Sequence, residues 1–133
     1  MVIVDTTVWS AFLRRDTYQS DPAVDIFREL VRKNQVQLLG IVKQELLSGI
    51  KHKRQFDRIV GILDGFPHLL AISADHQIAA QFYNRCRTHG IQGSHIDFLI
   101  CAQAINNSIP ILTTDEDFVR YGTIIPIDLV STG

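Results

Sequence analysis

Met1-Val2-Ile3-Val4-Asp5-Thr6-Thr7-Val8-Trp9 opens with a continuous β-branched run and closes it with a carboxylate. An uninterrupted apolar strand, rather than an alternating one, belongs in a sheet covered on both faces, which is the signature of parallel α/β architecture. Further short β-rich runs recur at 36–40, 68–72, 109–113 and 123–127, separated by longer stretches of helical period. That alternation predicts βα units around a mainly parallel sheet of about five strands. Pro126 lacks the amide proton a central strand needs, so the last run is expected at an edge.

The helices are punctuated. Asp21-Pro22 offers an N-cap and a first-turn proline before the apolar face of Val24, Phe27, Leu30 and Val31. Ser73 is expected to cap a helix bearing Ile78, Ala79, Phe82 and Cys86, with Gly90 as its stop. Residues 95–107 are apolar nearly all round and predict a buried helix. Segments 7–14, 42–50 and 53–65 complete the set.

Four acids interrupt these apolar runs: Asp5, Glu45, Asp97 and Asp115. Asp5 and Asp115 fall at carboxyl ends of strands, the edge where open α/β sheets build sites. Glu45 and Asp97 are expected in the first turn or so of helices, where the dipole tolerates negative charge. A buried carboxylate without a partner costs several kcal/mol or stays protonated, and few Lys or Arg lie nearby. A shared divalent cation would keep all four ionised. With no His or Cys cluster among them, such hard oxygen donors select Mg2+ or Mn2+ over zinc.

Each acid also has a plainer reading. Asp5 and Asp115 are well placed to cap helices, and Asp117 suits a solvated first turn. An Asp97–His95 hydrogen bond is a further alternative. Capping explains all four together poorly.

The bulk composition narrows the class. At 133 residues, 46% hydrophobic and 20% charged, the chain is the size of one globular domain with a proper core. A formal charge of −1 shows no global basic excess, so nucleic-acid binding must rest on a local patch or a metal. Arg14-Arg15, Lys43 beside Glu45, and Lys51-His52-Lys53-Arg54 are the basic candidates, the last run also reading as a solvated helix start. Two cysteines, Cys86 and Cys101, form neither a disulfide framework nor a zinc motif. No apolar run approaches the ~20 residues of a membrane span. The start lacks a signal-peptide pattern, and the chain reads as cytosolic.

Val4-Asp5-Thr6-Thr7-Val8-Trp9, Gln44-Glu45-Leu46-Leu47, Asp97-Phe98-Leu99-Ile100-Cys101-Ala102 and Leu112-Thr113-Thr114-Asp115-Glu116-Asp117-Phe118 resemble the four acidic motifs of PIN domains, and among these the VapC-type toxins of bacterial toxin–antitoxin pairs. The resemblance spans essentially all of residues 1–133. It implies a three-layer α/β/α sandwich and Mg2+- or Mn2+-dependent endoribonuclease activity on RNA such as tRNA or rRNA. It also implies a homodimer and inhibition by a small antitoxin protein whose tail enters the acidic site.

By position, Asp5, Glu45, Asp97 and Asp115 match the acidic quartet and Asp117 a less constant further acid. Thr6 and Thr113 match positions that often carry a small hydroxyl residue. Asp5, Asp97 and Asp115 are expected as direct ligands. Glu45 is expected either as a ligand through water or as the group that orients and deprotonates the attacking water. Thr6 or Thr113 is expected to hydrogen-bond a ligand carboxylate or the phosphate.

Other acidic α/β folds fit less well. A signalling receiver needs an Asp ending the third strand and a Lys ending the last, but Ser73 follows 68–72 and no Lys follows residue 54. A haloacid-type phosphatase wants an Asp two residues after Asp5, where Thr7 stands. A PIN nuclease of RNA processing without an antitoxin, and a non-catalytic acidic metal-binding module, are the remaining alternatives.

Overall fold

The strands follow the apolar runs, in shortened form. The computed structural model describes residues 1–14 and 21–132. Along the chain these form β1 (Val2–Val4), α1 (Thr6–Leu13), α2 (Pro22–Arg32), β2 (Val36–Leu39), α3 (Gly40–Leu47), α4 (Lys53–Leu63), β3 (His68–Leu69), α5 (Ser73–Thr88), α6 (His95–Asn106), β4 (Ile111–Leu112) and α7 (Asp117–Tyr121). The sheet order is β3-β2-β1-β4, and all three pairings are parallel.

This order fixes where a site can form. The chain winds outward from β1 through β2 to β3, then crosses back to place β4 on the other side of β1. Right-handed crossovers put α1–α4 on one face of the sheet and α5–α6 on the other, giving the α/β/α sandwich. The winding reverses between β1 and β4. A crevice opens at the carboxyl ends of strands at such a switch point. Asp5 leaves β1 there, its N–H donating to the Leu112 carbonyl of β4 at 2.9 Å.

Among the described residues the sheet has four strands rather than five. Residues 123–127 do not pair; the edge contact is a parallel bridge between Ile111 and Leu129. The Ile111 N–H donates to Asp128 O at 2.8 Å and the Val130 N–H to Ile111 O at 2.9 Å. Pro126 has no proton to offer, and the pairing residues lie beyond it.

Apolar burial follows the expected faces. Trp9 is fully buried with its ring edge-on to Phe27 and Phe66. Phe98 through Ala104 are all buried on α6, as a helix apolar on every side demands. At α2, Asp21 Oδ1 accepts the Ala23 N–H at 2.9 Å, with Pro22 opening the helix. Helix α5 starts differently from expectation. Ser73 is already helical, and the buried Asp75 reaches back to accept the Ile72 N–H at 2.9 Å. Asp75 also accepts from Asn106 Nδ2 at 2.8 Å, tying the start of α5 to the end of α6. Gly90 has φ +77°, which stops α5 as a left-handed residue should.

Candidate active site

Asp5, Thr6, Glu45, Asp97 and Asp115 line one cleft of about 560 Å³ at the β1/β4 switch point, together with Thr7, Ser10, Ala11, Arg14 and Thr114. Four acids from four separate elements therefore meet in one place. Arg14 is the one cationic side chain lining the cleft among the described residues.

Asp5 is buried at the end of β1 and caps α1. Its Oδ1 accepts the Thr6 N–H at 2.7 Å. Its Oδ2 accepts the Thr113 hydroxyl at 2.8 Å and the Thr7 hydroxyl at 3.2 Å. Capping and membership of the cleft thus coexist in one side chain. Burial raises the Asp5 carboxyl above the usual range despite these three donors, and repulsion from Asp115 adds to the rise.

Thr113 joins two strand ends. Its hydroxyl donates to Asp5 and accepts the Asp115 N–H at 3.0 Å. Asp115 Oδ1 in turn accepts the Asp117 N–H at 2.9 Å, which opens α7. Asp117 is paired with Arg120 one turn on. Thr113 and Asp117 support the cleft without lining it.

Asp97 is the third residue of α6, whose N-cap Ser94 accepts the Asp97 N–H at 3.0 Å. Its Oδ2 accepts the Tyr121 hydroxyl at 2.7 Å. His95 is turned away and stacks on Tyr83, so the Asp97–His95 alternative gives way to Tyr121. Burial raises the Asp97 carboxyl; the Tyr121 bond lowers it, and Asp5 and Asp115 push it up again. The Tyr121 hydroxyl is driven upward by burial and by Asp97, so it stays a donor.

Glu45 departs from expectation in two ways. Helix α3 starts at Gly40, so Glu45 lies in its second turn, beyond the favourable end of the dipole, and it is exposed. It still faces the cleft, where Oε1 accepts the Thr6 hydroxyl. Lys43 does not follow it. Its ammonium lies 3.2 Å from Asp64 and 3.2 Å from His68 Nε2, outside the lining. Lys51–Arg54 is a solvated helix start with Lys53 paired to Asp57. Arg15 lies outside the described residues.

Carboxylate oxygens of Asp97, Asp115 and Asp117 lie within 4.8 Å of one another. Three hard oxygen donors converging at this spacing could hold a divalent cation. Asp117, expected from sequence in a supporting role, is thus a member of this trio, whereas Asp5 and Glu45 line the same cleft outside it. Sequence reading overlooked Tyr121, Thr7 and Ser94. Ser94 had a signal, as a Ser three residues before an acid at a helix start; Tyr121 had none.

A family model described as PIN domain matches residues 2–124. The chain belongs to the PIN domain family. Its fold is similar to FitAcB from Neisseria gonorrhoeae, with TM-score 0.77 and 22% identity over 99% of this chain and 98% of that one. It is also similar to VapBC2 from Rickettsia felis bound to a promoter DNA fragment, with TM-score 0.76 and 18% identity over 98% of each chain. DNA-bound VapBC from Salmonella typhimurium gives TM-score 0.70 and 13% identity, again over 98% of each chain. Comparison with the curated proteins finds no match. No helix among the described residues is long and apolar enough to cross a membrane.

Proposed function

We propose that this chain is a divalent-cation-dependent endoribonuclease and the toxin of a VapBC-type pair. The observation that carries the reading is the convergence of Asp5, Glu45, Asp97 and Asp115 in one cleft, with Asp97, Asp115 and Asp117 close enough to share a cation. Membership of the PIN family supports nuclease chemistry. The similar structures from Neisseria gonorrhoeae, Rickettsia felis and Salmonella typhimurium carry FitA/FitB- or VapBC-type names, which supports an antitoxin partner.

Asp97, Asp115 and Asp117 would hold Mg2+ or Mn2+, with Asp5 contributing charge from the β1 end. Such a cation would supply positive charge for the phosphate and lower the pKa of a water. Glu45, steadied by the Thr6 hydroxyl, would orient the attacking water and take its proton. In-line attack of that water at phosphorus would break the P–O3′ bond, and the 3′-oxygen would take a proton from solvent, giving a 3′-hydroxyl and a 5′-phosphate. Thr113 holds the Asp5 and Asp115 ends in register. Arg14 at the rim meets the RNA backbone, a contact that positions without choosing sequence. Leu70 and Ile72, exposed beside the β3 edge, are apolar surface that suits a homodimer.

The test incubates purified protein with tRNA and rRNA in Mg2+, in Mn2+ and in chelator, beside Asp97→Asn. Discrete cation-dependent fragments ending in 5′-phosphate, absent with the variant, are expected. Stable protein that cleaves nothing in either metal would remove the nuclease reading. Co-expression with a neighbouring small reading frame is expected to relieve growth arrest, and light scattering to give twice the chain mass.

A further inference from the structure

Tyr121 is fully buried, yet its hydroxyl ends 2.7 Å from Asp97 Oδ2. The ring is wedged between Phe98, with centroids 4.8 Å apart, and Phe118, at 5.3 Å. A third wall is the backbone of Gly93. A Cβ built there would lie 2.5 Å from the Tyr121 hydroxyl oxygen and 2.8 Å from Cε1, distances no real Cβ tolerates. The hydroxyl therefore reaches Asp97 through space that exists because residue 93 has no side chain. Tyr121 also shares α7 with Asp117, so one short helix carries both an acid of the trio and the donor that holds another.

We propose that Tyr121 is a positioning residue for the cation site, and that Gly93 is its permissive partner. A phenol that gives its single proton to Oδ2 restrains rotation of the Asp97 carboxylate and keeps it facing Asp115 and Asp117. Outer partners of this kind orient ligands, and their loss costs about 10–100-fold in metal affinity or activity. This assignment rests on the cation reading above.

The experiment measures Mn2+ binding by titration calorimetry on the metal-free full chain, alongside thermal unfolding by circular dichroism. Wild type is compared with Tyr121→Phe, Gly93→Ala and Val36→Ala. Tyr121→Phe removes only the hydroxyl and is expected to raise the Mn2+ Kd about 10-fold or more. Gly93→Ala, whose methyl would meet Phe98 Cε2 at 2.7 Å as well as the phenol, is expected to weaken binding in the same direction. Val36→Ala trims a buried side chain at the start of β2, which pairs with Val2 at the end of the sheet opposite the acids. It is expected to lower the melting temperature and leave Kd unchanged, separating loss of stability from loss of positioning.

Wild type that binds while Tyr121→Phe binds within about twofold of it overturns the positioning role and leaves the cation reading intact. Wild type that binds no Mn2+ removes the cation reading and this role with it. Should Tyr121→Phe fail to fold, Gly93→Ala is judged by the same twofold criterion.

Discussion

The Thr113 hydroxyl donates to Asp5 Oδ2 at 2.8 Å across 108 residues of sequence, and the same oxygen accepts the Asp115 N–H at 3.0 Å. One hydroxyl therefore fixes the distance between the two strand ends that frame the cleft. A neutral threonine does this where a cation would compete with a bound metal.

Thr113→Val keeps the shape and removes both hydrogen bonds. Loss of stability of about 1–3 kcal/mol is expected, since a buried acceptor and a backbone donor lose their partner. RNA cleavage should fall by about tenfold or more, as for other groups that orient ligands. Urea unfolding and initial cleavage rates check both. Full activity in the variant would show that the strand ends hold their spacing without the hydroxyl.

The raised carboxyls of Asp5 and Asp97 give the cation-free protein an unusual pH response. Each has a folded-state pKa above the ordinary value of 3.8. Between that value and the raised one the folded chain binds more protons than the unfolded chain. The contribution of these groups is thus full below 3.8 and is lost as pH rises through the folded pKa. In chelator, the melting temperature of Asp97→Asn relative to wild type should rise as pH goes from 4 to 7, leaving the variant the higher at pH 7. Excess Mn2+ should reverse that order, because binding to the folded state alone adds about 2.7 kcal/mol at 100 times Kd. A variant that melts no higher than wild type at pH 7 in chelator contradicts the desolvation account.

Arg14 and Lys43 should separate in RNA binding. Arg14 lines the cleft, whereas Lys43 is occupied by Asp64 and His68. Arg14→Gln is expected to raise KM and to reduce the slope of log affinity against log salt by about one. Lys43→Gln should leave that slope unchanged. Equal effects from the two would place the RNA path outside the cleft.

Asp75 is the structural counterpart to the acidic site. It is buried, caps the start of α5 and holds Asn106. Asp75→Ala should cost about 2 kcal/mol, from one lost cap and one lost side-chain bond. The Mn2+ Kd should not move. A changed Kd would show that the α5–α6 tie reaches Asp97.

The fold was legible where one physical rule dominates. Helix α6 is apolar all round and could only be buried, and Asp21-Pro22 had one sensible position. The Asp5 and Asp115 placements followed from apolar runs that end in acids. The start of α3 was misplaced because Gly40 is a poor helix former, yet the chain turns into helix there directly from β2 without a side-chain cap. Lys43 was grouped with Glu45 by proximity in sequence, but residues two apart do not share a helix face. Tyr121 gave no sign, since Phe118-Val119-Arg120-Tyr121 reads as the apolar end of a short helix. Its meaning depends on Gly93, from a loop on another element.

The pairing of β1 with β4 also governs when the cleft can first be complete. Thr113 and Asp115 are made more than a hundred residues after Asp5. A nascent chain that ends before Thr113 lacks one side of the cleft. The strand made last is thus the one that closes the site.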